Sequence, residues 1–412
     1  MAKITCTIDP DEVGLDATRL ANIERHFDGY VERHQLPGYL ATVARGGEVA
    51  YVATGGSANV ETGAPVAEDT IFRIYSMTKP ITQVAAMRLW EEGRFELTDP
   101  IAGILGCFGD MEIFTGGTPE APSLVRATEP IRVWHLMTHT AGLTYGFQHT
   151  HPVDAIYRAA GYDFGWPKSV TLAQACEDWS RLPLLFEPGS SWNYSVATDV
   201  LGRLIEVVTG EPLDLALKRL VLDPLEMEET DFFVPPERAD RLAELYFPDL
   251  SRDAAIVPIS DLGRGALHPP TMLSGGGGLC STAADYKRFT GMLLAGGELE
   301  GARLLSPRTV EYMTRNHLPG DVDLETMAED SFSETSYAGV GFGLGFSVVN
   351  DARPSKVPTS EGSFAWGGAA STAFWVDPLE GLEVSFFTQL LPSGTHPLRS
   401  QLAQMVYSSI ID

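Results

Sequence analysis

Arg73-Ile74-Tyr75-Ser76-Met77-Thr78-Lys79-Pro80 closes one short apolar run and opens a longer one, Ile81 to Trp90. Residues three apart on a helix share a face, with Cβ atoms about 5–6 Å apart. A first turn formed at Ser76 therefore sets Ser76 and Lys79 side by side. A serine hydroxyl is a poor nucleophile until a neighbour takes its proton, and a desolvated lysine amine can take it. Pro80 fits this placement: the first four N–H groups of a helix have no intrahelical partner, so proline costs little there and about 3 kcal/mol further in. The body that follows (Ile81, Val84, Ala85, Ala86, Met87, Leu89, Trp90) is apolar nearly all round, which predicts a buried central helix. A serine at its start sits near the positive end of the helix dipole, beside unpaired backbone N–H groups.

Ser-x-x-Lys by itself arises by chance roughly once in a chain of this size. Lys79 is the only lysine here with a serine three residues before it. A solvated serine and lysine on an ordinary helix would leave the same trace, so the reading depends on the rest of the chain.

With 412 residues and 44% apolar content, the chain can bury a sizeable core and has room for two lobes. A formal net charge of −26 argues against nucleic acid or an anionic membrane surface as partner. Cys6, Cys107, Cys176 and Cys280 lie far apart with no Cys-x-x-Cys, so neither a zinc framework nor a disulfide scaffold is suggested. No run of 18 apolar residues appears, and the first residues lack the apolar core of a secretory signal. The expectation is a cytoplasmic protein.

Leu15 to Arg33 carries helical periodicity, and Tyr39–Ala44 with Val49–Thr54 predicts a hairpin turned at Gly46-Gly47. Ile71–Ile74 is a candidate third strand. Helical stretches follow at Leu97–Leu105, Ile131–Thr138, Leu172–Arg181, Val196–Val208 and Leu213–Val221, with Gly142 expected to stop the second. From Ile256 onward strands return. Ser281 or Thr282 caps a helix over Ala283–Leu294, Gly341–Val349 reads as one strand, Ser371–Val376 and Leu382–Gln389 as two more, and Pro397–Ile411 as a last helix. Asp321–Ser336 is polar and acidic, as a surface loop would be. The order sheet, helices, sheet predicts an α/β (α+β) fold: one lobe from residues 1–96 and 262–412 with an antiparallel sheet flanked by helices, and residues 97–261 inserted as an all-helical lobe.

Two further segments carry possible chemistry. In Phe186-Glu187-Pro188-Gly189-Ser190-Ser191-Trp192-Asn193-Tyr194-Ser195, Tyr194 could bring a phenol to the Ser76–Lys79 pair. An ammonium nearby favours the ionised phenol, which then serves as a general base. A core tyrosine at a helix start is the plain alternative. In Ser363-Phe364-Ala365-Trp366-Gly367-Gly368-Ala369-Ala370-Ser371, two glycines before a strand let a ligand approach the backbone, and a free N–H there could join that of Ser76 in binding an oxyanion. A turn beside a packed tryptophan is the plain reading. Gly-x-Ser-x-Gly and His-Glu-x-x-His are absent, and His139, His149 and His151 match no recognised metal-ligand set. Gly275–Gly278 lacks the Gly-Lys-Ser/Thr ending of a phosphate loop.

Taken in order, Tyr75-Ser76-Met77-Thr78-Lys79-Pro80, Leu136-Met137-Thr138-His139-Thr140-Ala141-Gly142-Leu143, Phe186-Glu187-Pro188-Gly189 with Tyr194-Ser195, and Trp366-Gly367-Gly368 resemble the serine β-lactamase and penicillin-recognising superfamily. In detail they look most like the family VIII carboxylesterases. The resemblance spans roughly residues 15 to 400. It implies a β-lactamase/transpeptidase-like fold with the site between the lobes, no cofactor, and a small-molecule ester as substrate. It also implies Ser76 as nucleophile, Lys79 and Tyr194 sharing the acid–base work, and the N–H groups of Ser76 and Ala369 as oxyanion donors. Tyr75, Trp366, Gly367 and Gly368 would line the substrate pocket. Two departures bear on substrate. Tyr-x-Asn becomes Tyr194-Ser195-Val196, and the lysine of Lys-Thr-Gly becomes Trp366, whose indole carries no positive charge. Both weaken a β-lactamase or peptidase reading and favour uncharged esters. An acyltransferase using the same acyl-enzyme, a weak β-lactamase and a silent binding protein are the rival expectations.

Overall fold

The computed structural model describes residues 3–167, 169–249, 251, 255–328 and 337–412. Its organising feature is an eight-stranded antiparallel sheet in the order Val340–Phe342, Ser347–Val349, Phe364–Gly367, Ala373–Asp377, Leu382–Phe387, Gly38–Arg45, Glu48–Asn59, Ala64–Pro65. The two ends of the chain meet at its centre, where Leu40 pairs with Phe387 and Val43 with Val384. The first hairpin turns at Gly46 and Gly47, whose φ values of 62° and 89° suit the left-handed turns that match strand twist.

Helices cover both faces. Outside, Asn22–Glu32 and Leu398–Tyr407 bury Tyr39, Ala41, Val43, Val384 and Phe386; the Phe27 ring packs tilted against that of Phe386, 4.8 Å between centroids. Inside, Ala283–Leu294 lays Tyr286 5.2 Å from Phe374. Full burial of each such ring contributes about 1.5–3 kcal/mol. Thr282 caps this helix, its hydroxyl accepting the Asp285 N–H at 3.2 Å. The central helix, Thr78–Glu91, is buried on every side from Thr78 to Met87, as its composition predicts.

Several expectations need correcting. Leu97–Leu105 holds only a short 3-10 turn at Ile101–Gly103, because Pro100 donates no N–H and instead bridges to Arg132. The stretch 97–261 is not all-helical: Glu112–Thr118 pairs with Ala121–Arg126, and Tyr246–Asp249 with Ala255–Pro258. It also gains a helix at Pro152–Ala159, started by Pro152 and the His151 cap. The helix at Val133–Met137 stops before Gly142, where His139 turns the chain at φ 58°. Gly341–Val349 is two strands, since the chain reverses at Gly345 (φ 95°) and Val340 pairs with Val349. Ile71–Arg73 is a strand, but it pairs with Cys280–Thr282 outside the main sheet. In the acidic segment, Leu324–Met327 is helical and 329–336 lie outside the described residues.

Candidate active site

Ser76 sits in a single 3-10 turn, Tyr75–Met77, that feeds directly into the central helix. Tyr75 takes a left-handed φ of 43°, a strained value for a non-glycine residue, and this kink delivers Ser76 to the helix start. Arg73 anchors the approach: buried, it donates to the carbonyls of Ala243 (2.6 Å) and Gly263 (3.0 Å) and to Gln389 Oε1 (3.0 Å).

Lys79 lies one turn on and is 2% exposed. Its ammonium donates to the Gly276 carbonyl at 2.6 Å, the Tyr145 hydroxyl at 3.1 Å and Ser76 Oγ at 3.2 Å. The Tyr194 hydroxyl donates to Ser76 Oγ at 2.6 Å, and Lys79 Nζ stands 4.5 Å from the Tyr194 ring centroid. Three side chains spread over more than a hundred residues of sequence thus meet within hydrogen-bond reach.

Backbone pairing explains how Tyr194 arrives there. The segment before it is zipped to the Thr138–Gly142 loop: Leu185 N–H donates to Gly142 O (2.8 Å), Gly189 N–H to Thr140 O (2.7 Å) and Asn193 N–H to His139 O (3.0 Å). Gln148 holds the Tyr194 carbonyl. His139 packs its ring 5.0 Å from that of Tyr194, and its Nδ1 lies 3.2 Å from Ser195 Oγ. Burial, helped by the Lys79 charge, drives His139 well below the ordinary imidazole range, so it stays neutral beneath the phenol. His151 caps the Pro152–Ala159 helix. Among the described residues no three His, Cys, Asp or Glu side chains group as a metal site.

Sequence reasoning missed two neighbours of Lys79. Tyr145 contacts its ammonium directly, and burial raises the Tyr145 phenol well above its usual range, keeping it protonated. Asp199, fully buried in the first turn of the helix Ala197–Thr209, accepts from Ser274 Oγ (2.6 Å) and from Gly276 N–H (3.0 Å). The same Gly276 receives Lys79, so the Ser274–Gly278 loop links carboxylate and ammonium. A Cβ at Gly276 would lie 2.6 Å from Asp199 Oδ2, which is why glycine stands there. Burial raises the Asp199 carboxyl, against the pull of Lys79. A detectable signal existed for Asp199: an acid in the apolar stripe of Val200, Leu201 and Leu204.

Trp366 and Gly367 end the strand Phe364–Gly367, with the Trp366 ring 5.5 Å from that of Tyr194. The turn that follows is pressed against the serine segment: a Cβ on Gly368 would run into the Ile74 carbonyl, two residues before Ser76. Ala369 joins Tyr75 in a small apolar cluster with Ala370, Leu245 and Leu391. Burial pushes the Tyr75 phenol up to about 12. No helix among the described residues is long and apolar enough to cross a membrane.

The sequence model of the family described as Beta-lactamase matches residues 23–405. Esterase EstB of Burkholderia gladioli is 32% identical over 98% of this chain and 99% of its own length. ML-236A carboxylate methylbutanoyltransferase of Penicillium citrinum is 27% identical, over 93% of this chain and 92% of its own. Among solved structures, EstCE1, described as a hydrolase with promiscuous acyltransferase activity, superposes with a TM-score of 0.81 at 28% identity, covering 97% of this chain and 99% of that one. On a match that runs through both halves of the sheet and every element around Ser76, the chain belongs to the beta-lactamase family.

Proposed function

We propose that the protein is a serine hydrolase that cleaves short-chain or small carboxylic esters through an acyl-enzyme on Ser76. The observation that carries this reading is the contact of Ser76 Oγ with two proton-handling groups, Tyr194 OH at 2.6 Å and Lys79 Nζ at 3.2 Å. Tyr194 is the nearer, and an adjacent ammonium favours its ionised form. In this reading Tyr194 takes the proton of Ser76 as Oγ attacks the ester carbon, and passes it to the departing alcohol oxygen. The Ser76 and Ala369 N–H groups bind the oxyanion, where one such donor is typically worth about 10²–10³ in rate. Water, activated by Tyr194, then releases the acid. Tyr75, Trp366, Gly367 and Gly368 form the walls nearest the reacting carbon.

Ser76→Ala is expected to abolish both p-nitrophenyl acetate turnover and fluorophosphonate labelling while the protein still folds. Turnover retained in that variant would remove the proposal. Acyl transfer to an alcohol is the second reading, favoured by the transferase among the relatives and by the promiscuous acyltransferase activity of EstCE1. Partition between hydrolysis and transfer, measured with an added alcohol acceptor, separates the two. Trp366 in place of a cation supports neither β-lactam carboxylate binding nor fast nitrocefin turnover.

A further inference from the structure

Ser347, Ala365 and Trp375 are cross-strand partners and share one face of the sheet, as do Gly367 and Ala373. That face looks toward the helix Leu398–Tyr407, which stands off from it and leaves a cavity of about 530 Å³. The size falls within the roughly 300–1,000 Å³ usual for small-molecule sites. Tyr194 and Trp366 line the same cavity, so it runs up to the reacting groups. Gly367 makes room for Arg399 on the cavity wall, since a Cβ there would collide with its guanidinium. In a chain of net charge −26, none of the described residues lining it is a carboxylate. Tyr407 spends its hydroxyl on Asp377 Oδ2 at 2.7 Å, and Arg399 donates to the Thr372 carbonyl at 3.1 Å.

We propose that this cavity receives the alcohol portion of the ester, and that the preferred substrates join a small acyl group to a larger, largely apolar alcohol. The inference rests on the esterase reading above and deepens it. During acylation the Ser76 Oγ–carbonyl carbon bond forms and the carbonyl carbon–alkoxy oxygen bond breaks; the Ser76 proton passes to Tyr194 and on to the alkoxy oxygen. A proton donor must lie within hydrogen-bond reach of the oxygen it protonates. The leaving oxygen therefore lies at Tyr194, and its substituent extends along the wall that Tyr194 shares with Trp366 into the cavity. The acyl chain, on the opposite side of the same carbon, does not enter it.

Two ester series test this. Alkyl acetates from ethyl to octyl vary only the alcohol, and ethyl esters from acetate to octanoate vary only the acyl group. In the wild type, kcat/KM should climb roughly two- to fourfold per methylene along the first series and fall or stay level along the second. Ala403→Phe fills the cavity from the helix side, away from Ser76, Lys79 and Tyr194. It should flatten the alcohol series, so that octyl acetate loses its advantage over ethyl acetate. A flat alcohol series in a wild type that turns over ethyl acetate through Ser76 overturns the proposal and leaves the esterase reading standing. Failure to cleave any ester removes the esterase reading and the proposal with it. Should Ala403→Phe not fold, the wild-type series decides by itself.

Discussion

Lys79 is surrounded by oxygen: a backbone carbonyl, a serine and a tyrosine hydroxyl, with the ring of Tyr194 against it and neutral His139 beyond. The negative charge that faces it is Asp199, one residue removed through Gly276. A buried ammonium is costly without a compensating charge. We expect Asp199 to act as a positioning residue that keeps Lys79 both placed and charged. Asp199→Asn retains an acceptor for Ser274 and Gly276 and removes only the charge. The pH profile of kcat/KM should then move to lower pH, since an ammonium without its counter-charge gives up its proton more readily. Profiles that superimpose after scaling would leave Asp199 a purely structural part.

At the scale of elements, two segments must be held against each other: the turn after Trp366 and the entry to the central helix. Gly368 makes that approach possible, because any side chain would meet the Ile74 carbonyl and the Thr372 hydroxyl. On the proposed reading, in which the Ala369 N–H binds the oxyanion, Gly368→Ala should lower kcat/KM by about 10²-fold by pulling that N–H out of line, with a smaller loss of Tm; unchanged kcat/KM would show that the turn does not serve the oxyanion. How much of this could be read from sequence follows the range of the signals. Ser76 and Lys79 are three apart across the turn that opens the central helix, so their meeting is local geometry. The central helix announces itself by being apolar on every side. Tyr145 follows a Gly-Leu-Thr loop with no periodicity, and only the fold carries it to Lys79. The reversal at Gly345 was hidden for a related reason: alternating small and apolar residues describe either arm of a hairpin, and the turn shows only when Val340 and Val349 are seen to pair.

For the molecule as a whole, acid should be the weak direction. His135 is buried, and burial lowers it from 6.5 to about 4; its Nδ1 accepts the Arg132 N–H at 3.0 Å, a bond that protonation breaks. His139 is shifted the same way. Neutral in the folded state, both gain protons more readily in the unfolded chain, so the stability they confer is complete above pH 6.5 and is lost as pH falls through the folded-state value, about 4 for His135. For His135 the shift corresponds to roughly 3 kcal/mol. Tm should drop steeply across that window, and His135→Gln should flatten the drop; a Tm independent of pH between 6.5 and 4 would contradict it.

The central pairing of Leu40 with Phe387 has a consequence for biosynthesis. The strand Gly38–Arg45 is synthesised more than three hundred residues before its neighbour Leu382–Phe387. Until then one edge of the nascent hairpin stands open, with its hydrogen-bonding groups and apolar faces unmatched. Closure of the sheet therefore waits on that long stretch of synthesis, and the yield of active protein in a cell should depend on chaperones that shield the open edge as well as on the stability of the finished fold.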